Sequence, residues 1–249
     1  MSLELSIVMA AYNEEVSIVG AVEDAVASVA PLVADFEIIV VNDGSRDRTG
    51  ELLADLARRE PRLRIIDQKN AGHGPALIAG LSAAQGVTLL ILDSDRQISL
   101  EDFAEHWRMY GRHDAVIGIR ADRHDGWFRG VTSLMMRCLA LALFRGSVPK
   151  DPNIPFKILP RQAWVMAAGA IGPDNPIPSA LLAIHMRLSG LDIGQRAVVH
   201  RPRRGSMSSF RGVRLMQFCL IAFRSMVRFR LCRPIQDLMA TRERQVLPR

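Results

Sequence analysis

Asp93 and Asp95 close the apolar run Val87-Thr88-Leu89-Leu90-Ile91-Leu92. That run reads as a buried strand of a parallel sheet. In extended chain, residues two apart point the same way, so both carboxylates can converge on one point beyond the strand. Hard oxygen ligands suit Mg²⁺ or Mn²⁺, which commonly take one or two carboxylates and complete their shell with substrate phosphates. Taken alone, Asp-x-Asp is more often a solvated turn. Its surroundings decide between the two.

Three further loops, each rich in hydrogen-bonding groups, follow predicted strands. Ala11-Tyr12-Asn13-Glu14-Glu15 follows Leu3–Ala10, and Asn42-Asp43-Gly44-Ser45-Arg46-Asp47 follows Phe36–Val41. Asn70-Ala71-Gly72-His73-Gly74-Pro75 follows Leu63–Asp67, and Asp93-Ser94-Asp95-Arg96-Gln97 is the fourth such loop. In a parallel sheet these strand ends share an edge, so the four loops can line one cleft. Each also has a plain alternative: Asn42–Ser45 as a turn, Ser45 as a helix cap, Gly72 and Gly74 as backbone relief.

The elements that must place these loops alternate between strand and helix through residue 120. Helices are expected over Glu15–Val29, Asp47–Glu60, Pro75–Ala84 and near Leu100–Tyr110, with a strand over Ala115–Ile119. Such βαβ repetition predicts an α/β fold, a mostly parallel sheet with helices on both faces. Beyond residue 120 the pattern changes. Trp127–Phe144 reads as a helix, and Asp151–Pro160 as irregular until a short strand near Phe156–Leu159. Ser179–Leu188 is expected as a helix, Ile193–His200 as a strand, and Val213–Leu231 as a long apolar-basic helix before a peripheral tail with Pro234 and Pro248. The chain thus divides into a body over 1–210 and a basic helix and tail over 211–249.

The 249 residues are 49% hydrophobic and 23% charged, a globular balance. Aromatics make up only 6%, so stacking platforms for nucleic acid are scarce, and none is expected as a partner. The net charge of +6 is uneven: residues 201–249 hold twelve Arg, no Lys and two acids, leaving the remainder mildly acidic. Such asymmetry points to an anionic partner. Cys138, Cys219 and Cys232 have no metal-binding spacing and fit a reduced, cytoplasmic protein. The N-terminus does not read as a signal peptide, and no uninterrupted apolar run reaches the length of a membrane span.

As an ordered set, Tyr12-Asn13-Glu14, Asn42-Asp43-Gly44-Ser45-Arg46-Asp47, Asn70-Ala71-Gly72-x-Gly74 and Asp93-x-Asp95 resemble the family 2 glycosyltransferases of GT-A fold. Within that family the chain is most similar to the dolichol- and polyprenol-phosphate mannose (sugar) synthases. Asp93, Asp95 and Gln97 match their D-x-D-x-Q metal loop, with Asp95-Arg96-Gln97 where other acidic or apolar variants are commoner after the first metal ligand. Gly118-Ile119-Arg120 and Arg129-x-x-x-Ser133 match their acceptor side. Asp151-x-Asn153-x-x-Phe156-Lys157 resembles their D-x-x-x-G-F-[RK] segment, with Pro155 where a small residue is usual. His200-Arg201-x-x-Arg204-Gly205-Ser206 resembles their H-x-x-R-x-G-x-S element.

The resemblance implies a nucleoside-diphosphate sugar donor, GDP-mannose or a UDP-sugar. Ala11, Tyr12, Asn13, Glu14, Asp43, Asn70, Gly72, Asp93 and Ser94 would hold it, and Arg201 or Arg204 would pair with its diphosphate. Mg²⁺ or Mn²⁺ on Asp93, Asp95 and Gln97 would stabilise the charge that develops as the sugar departs. A polyprenyl-phosphate acceptor is already anionic and requires cations rather than a base. Arg120, Arg129 and Ser133 would form that corner, the last two sharing a helix face. If the acceptor were instead a hydroxyl of a small metabolite or glycan, Asp174 is the candidate base. A nucleotidyltransferase and a non-enzymatic basic module for membrane or nucleic acid stand as further alternatives.

On a helical wheel, Arg211, Arg214, Gln217, Arg224, Ser225 and Arg228 fall within about 140° of arc. Apolar side chains fill most of the rest. That pattern suits a helix lying on the inner face of the cell membrane, one docked on the protein core, or a homodimer contact.

Overall fold

The structure, a computed structural model, describes residues 3–120, 137–201 and 213–246, with side chains of the last segment over 216–232. Seven strands form one sheet in the order β3-β2-β1-β4-β6-β5-β7. They are β1 (Leu5–Ala11), β2 (Phe36–Asn42), β3 (Leu63–Asp67), β4 (Thr88–Asp93), β5 (Ala115–Arg120), β6 (Phe156–Pro160) and β7 (Ile193–Val198). Only β6 runs against the others, antiparallel to both β4 and β5. The α/β expectation of a mostly parallel sheet is met. The reversed strand was not foreseen, because a five-residue apolar strand carries no signature of its direction.

β1 and β2 are buried along their whole lengths, as strands covered on both faces must be. Their register pairs Ala11 with Asn42, and Ala10 with Asp93 on β4. The ends of β1, β2 and β4 are therefore level, and the loops beyond them share one edge. The helices are α1 (Ile18–Val29), α2 (Thr49–Ala57), α3 (His73–Ala83), α4 (Phe103–Tyr110), α5 (Arg161–Ile171), α6 (Pro178–Leu188) and α7 (Val213–Val246).

α1 and α2 begin later than their apolar periodicity suggests. Residues 12–17 and 43–48 are consumed by loop-to-loop hydrogen bonds instead. α5 has no clear sequence period, since its run Ala-Trp-Val-Met-Ala-Ala-Gly-Ala-Ile is apolar nearly throughout. Residues 137–143 are helical, so the end of the expected Trp127–Phe144 helix is present, while 127–136 lie outside the described residues.

α7 continues past the expected stop at Leu231 and through Pro234. A proline forfeits one backbone bond, and the helix-forming residues around it carry the helix on. Ala222, Met226 and Phe229 are buried, Phe229 lying edge-on to Phe144 and His185, and α7 packs along α5. The opposite side leaves Met216, Leu220 and Leu231 exposed beside Arg224 and Arg228. The core therefore takes one apolar stripe of this helix, and a second stays at the surface.

Candidate active site

The first two loops are laced together by side chains that cap each other's backbone. The Asn13 N–H donates to Ser45 Oγ at 3.0 Å and the Arg46 N–H to Asn13 Oδ1 at 2.8 Å. The Glu14 N–H donates to Thr49 Oγ1 and the Glu15 N–H to Asp47 Oδ2. Asn13 takes a left-handed φ of 55°, which Asn tolerates better than most residues. The Ala11 carbonyl accepts the Asp43 N–H. Between these anchors the Tyr12 side chain stands exposed.

Asp43 is only 2% exposed, and its carboxylate is engaged within the protein. Oδ1 accepts from Gln68 Nε2 at 2.7 Å and the Ala71 N–H at 2.8 Å; Oδ2 accepts the Gly72 N–H at 2.8 Å. Asn70 Nδ2 returns a bond to the Asp43 carbonyl. Asp43 thus fixes the third loop, where Gly72 takes a φ of +96° that side chains rarely adopt. Asn70 faces this network, and His73, which the motif reading passed over, opens α3 with Nε2 3.9 Å from Asp93 Oδ1.

The fourth loop alternates. Ser94 is buried and its Oγ donates to the Ala10 carbonyl at 2.8 Å, so it ties the loop to β1. Asp93 and Asp95 lie on either side of it. Asp93 keeps 32% of its side-chain surface open. Burial nevertheless pushes its carboxyl up; His73 opposes the shift, the Asp95 carboxylate adds to it, and Arg120 and Lys157 oppose it. Asp95 Oδ1 accepts the Gln97 N–H at 3.0 Å. Gln97 pairs with the backbone of Arg201 through its own carbonyl and its side-chain amide. The Arg201 guanidinium lies against Ser99 and Glu101.

Beyond β4, two more strand ends bring cations. Arg120 closes β5 with Nη1 3.9 Å from Asp151 Oδ2, and its buried Nε has no hydrogen-bond partner among the described residues. Lys157 sits in β6 at 0% exposure, its ammonium donating to the Ile154 carbonyl and, at 2.6 Å, to Ser179 Oγ. Burial lowers its pKa to about 7 against the pull of Asp151 and Asp93, with Arg120 adding to the fall. Lys157 lies opposite Ile91, two residues before Asp93, so the two charged side chains share a face of the sheet. A lysine inside Phe-Lys-Ile-Leu was the sequence signal for this charge.

Asp174 is exposed, in a loop seated on the start of α3: a Cβ on Gly74 would fall 2.1 Å from the Asn175 carbonyl oxygen. Arg129, Ser133 and Arg204 lie outside the described residues.

The residues present fit a divalent ion. The Asp95 carboxylate adds to the cost of ionising Asp93, which a cation between them would reverse. Among the described residues no group of three or more His, Cys, Asp or Glu gathers as a metal cage. Two carboxylates and an amide suit Mg²⁺ or Mn²⁺ when phosphate and water supply the remaining ligands.

The description "Glycosyl transferase family 2" fits residues 6–164, which carry all four loops and both central strands. The chain belongs to this family. It is 32% identical over 139 residues to the undecaprenyl-phosphate 4-deoxy-4-formamido-L-arabinose transferase of Proteus mirabilis (strain HI4320), covering 55% of this chain and 43% of that one. It is 30% identical over 165 residues to an uncharacterized glycosyltransferase of Bacillus subtilis (strain 168), covering 64% and 50%. The glycosyltransferase chain described here thus aligns with about half the length of these curated relatives.

Among solved structures it is similar to glucosyl-3-phosphoglycerate synthase from Mycobacterium tuberculosis in complex with Mn²⁺, UDP-glucose and phosphoglyceric acid. The TM-score is 0.61 at 21% identity, covering 90% of this chain and 80% of that one. At that identity the likeness concerns the fold, and the mixed seven-stranded sheet of this glycosyltransferase is the GT-A arrangement.

Proposed function

We propose that this glycosyltransferase moves a sugar from a nucleoside diphosphate to polyprenyl phosphate, inverting the anomeric centre. The observation that carries this reading is the charge layout along one sheet edge. Asp93 and Asp95 stand at the end of β4, and Arg120, with Lys157 beneath it, at the adjoining ends of β5 and β6. A diphosphate leaving group needs a cation at the carboxylate pair; a phosphate nucleophile needs cations opposite, and no base. Asp93, Asp95 and Gln97 would hold Mg²⁺ or Mn²⁺, which supplies Lewis-acid stabilisation of the departing charge. Tyr12 and Glu14 border the nucleoside, held by the lacing with the second loop. Arg120, Arg129 and Ser133 receive the acceptor phosphate, while Arg201 and Arg204 approach the diphosphate. The relative named for undecaprenyl phosphate supports this acceptor.

The exposed stripe of α7 suits the surface from which such a lipid is drawn. Met216, Leu220 and Leu231 offer apolar contact, and Arg224 and Arg228 suit anionic headgroups. No helix among the described residues is long and apolar enough to cross a membrane. Association at the inner face of the cell membrane follows from this reading; a homodimer built on the same stripe would appear as a doubled mass without lipid.

A second reading keeps the donor and gives the acceptor a hydroxyl, with Asp174 as base; its loop is seated on α3 beside His73. One experiment separates them. The protein is incubated with Mn²⁺, a panel of GDP- and UDP-sugars and a short polyprenyl phosphate or a small polyol, and products are read by mass spectrometry. A sugar phosphodiester supports the first reading, and a glycoside the second.

A further inference from the structure

The residue between the second aspartate and Gln97 is an arginine in a left-handed conformation, with φ 59° at Arg96. Such a backbone is costly for a branched, bulky or long side chain and persists only when neighbours hold it. Here α1 holds it. Arg96 Nε donates to Asp24 Oδ2 at 2.8 Å and Nη2 to Asp24 Oδ1 at 3.0 Å, a two-bond fork. One helical turn earlier, on the same face of α1, stands Gly20. A Cβ there would lie 2.3 Å from Nη1 and 2.7 Å from Cζ, so the guanidinium lies where any other side chain would begin. A cavity of about 20 Å³, the size of one water, is lined by Asp24, Arg96 and Asp93 and joins this contact to the first of the two aspartates.

The loop is thus tied at Ser94 and Arg96, the two residues that alternate with the proposed ligands, and the last of those ligands is anchored as well. Ser94 is bound to β1, Arg96 to α1, and Gln97 to the backbone of Arg201.

We infer that Arg96, docked on Asp24 over Gly20, is a positioning residue that sets the geometry of Asp93 and Asp95 and thereby the affinity for the divalent ion. The inference rests on the metal reading given above. It also links the ion to α1, the helix that follows the Tyr12–Glu15 loop, so that ion and nucleoside contacts share one support.

The test is Mn²⁺ binding to the full, metal-stripped chain with UDP or GDP present, followed by electron paramagnetic resonance against a nucleotide-only blank, beside thermal unfolding. Simple charge effects predict opposite signs: Arg96→Ala removes a cation near the ion and should tighten binding, while Asp24→Ala removes an anion and should weaken it. Positioning predicts that both weaken Mn²⁺ binding, by roughly tenfold or more, and that the double variant is no worse than either. Gly20→Ala leaves every charge in place and should weaken binding while favouring the helix. The exchanged pair Asp24→Arg with Arg96→Asp should recover part of the loss. Mn²⁺ binding by the wild type that Arg96→Ala and Gly20→Ala leave unchanged overturns the positioning role alone. Wild-type protein that binds no Mn²⁺ overturns the metal reading and this inference together.

Discussion

Replacing Lys157 by methionine should remove a pH dependence of stability that the buried amine imposes. Lys157 has no solvent exposure, and its pKa falls from 10.5 to about 7 in the folded protein. Below pH 7 the amine is charged both folded and unfolded, and the full cost of burying the charge is present. Between pH 7 and 10.5 the unfolded chain binds more protons than the folded one, so stability rises with pH. A shift of this size corresponds to about 5 kcal/mol in all, of which about 3 kcal/mol is recovered between pH 6 and pH 9. Methionine is apolar and flexible enough to occupy the stem's volume. It leaves Ser179 Oγ and the Ile154 carbonyl without their donor, a cost of about 1–3 kcal/mol that does not vary with pH. The two effects therefore separate. Urea unfolding of both proteins in EDTA at pH 6, 7, 8 and 9 should show their stability difference changing by about 3 kcal/mol across the series, with methionine relatively better at low pH. Curves that stay parallel within about 0.5 kcal/mol would refute a lysine neutralised by burial.

Asp93→Ala and Asp95→Ala should each lower sugar transfer by roughly 100-fold or more and abolish Mn²⁺ binding while leaving cooperative unfolding intact; turnover at the wild-type rate in EDTA would reject the ion's role. Asp43→Ala strands three donors in a buried loop and should cost about 2–4 kcal/mol in urea unfolding, whereas a loss under about 0.5 kcal/mol would mean that water replaces the carboxylate. Leu220→Ser together with Leu231→Ser should reduce co-sedimentation with anionic vesicles by about tenfold, and added salt should reduce the wild type's binding; unchanged partition would remove the stripe from the membrane argument.

The first half of the site was legible because each of its motifs follows a strand that its apolar run announces. Asn42–Asp47 and Asp93–Gln97 needed only the rule that parallel strands deliver their ends to one edge. What could not be read was which polar side chains serve the protein itself. Asp43 looks like a ligand from its motif and spends its carboxylate on Gln68, Ala71 and Gly72. Ser94 looks like part of the metal loop and bonds to β1. The Arg96–Asp24 pair joins residues 72 positions apart, a distance over which one sequence carries no pairing signal. The wheel of α7 grouped Arg224 and Arg228, both of which are exposed, but could not say which apolar stripe meets the core.

The reversed strand explains why the second half resisted the same reading. The four loops of the first half follow their strands, whereas Asp151–Lys157 precedes and enters β6. Because β6 runs antiparallel, its first residues lie beside the last residues of β4, with Phe156 opposite Leu92 and Lys157 opposite Ile91. The segment therefore arrives at the functional edge from the opposite chain direction. Its central place has a second consequence. With β4 and β5 on either side and the start of α6 over that face, Lys157 is wholly buried. Lys157 must find its acceptors inside, at the turn before β6 and at the start of α6. The one strand that breaks the parallel pattern thus places a buried lysine on the same face of the sheet as Asp93.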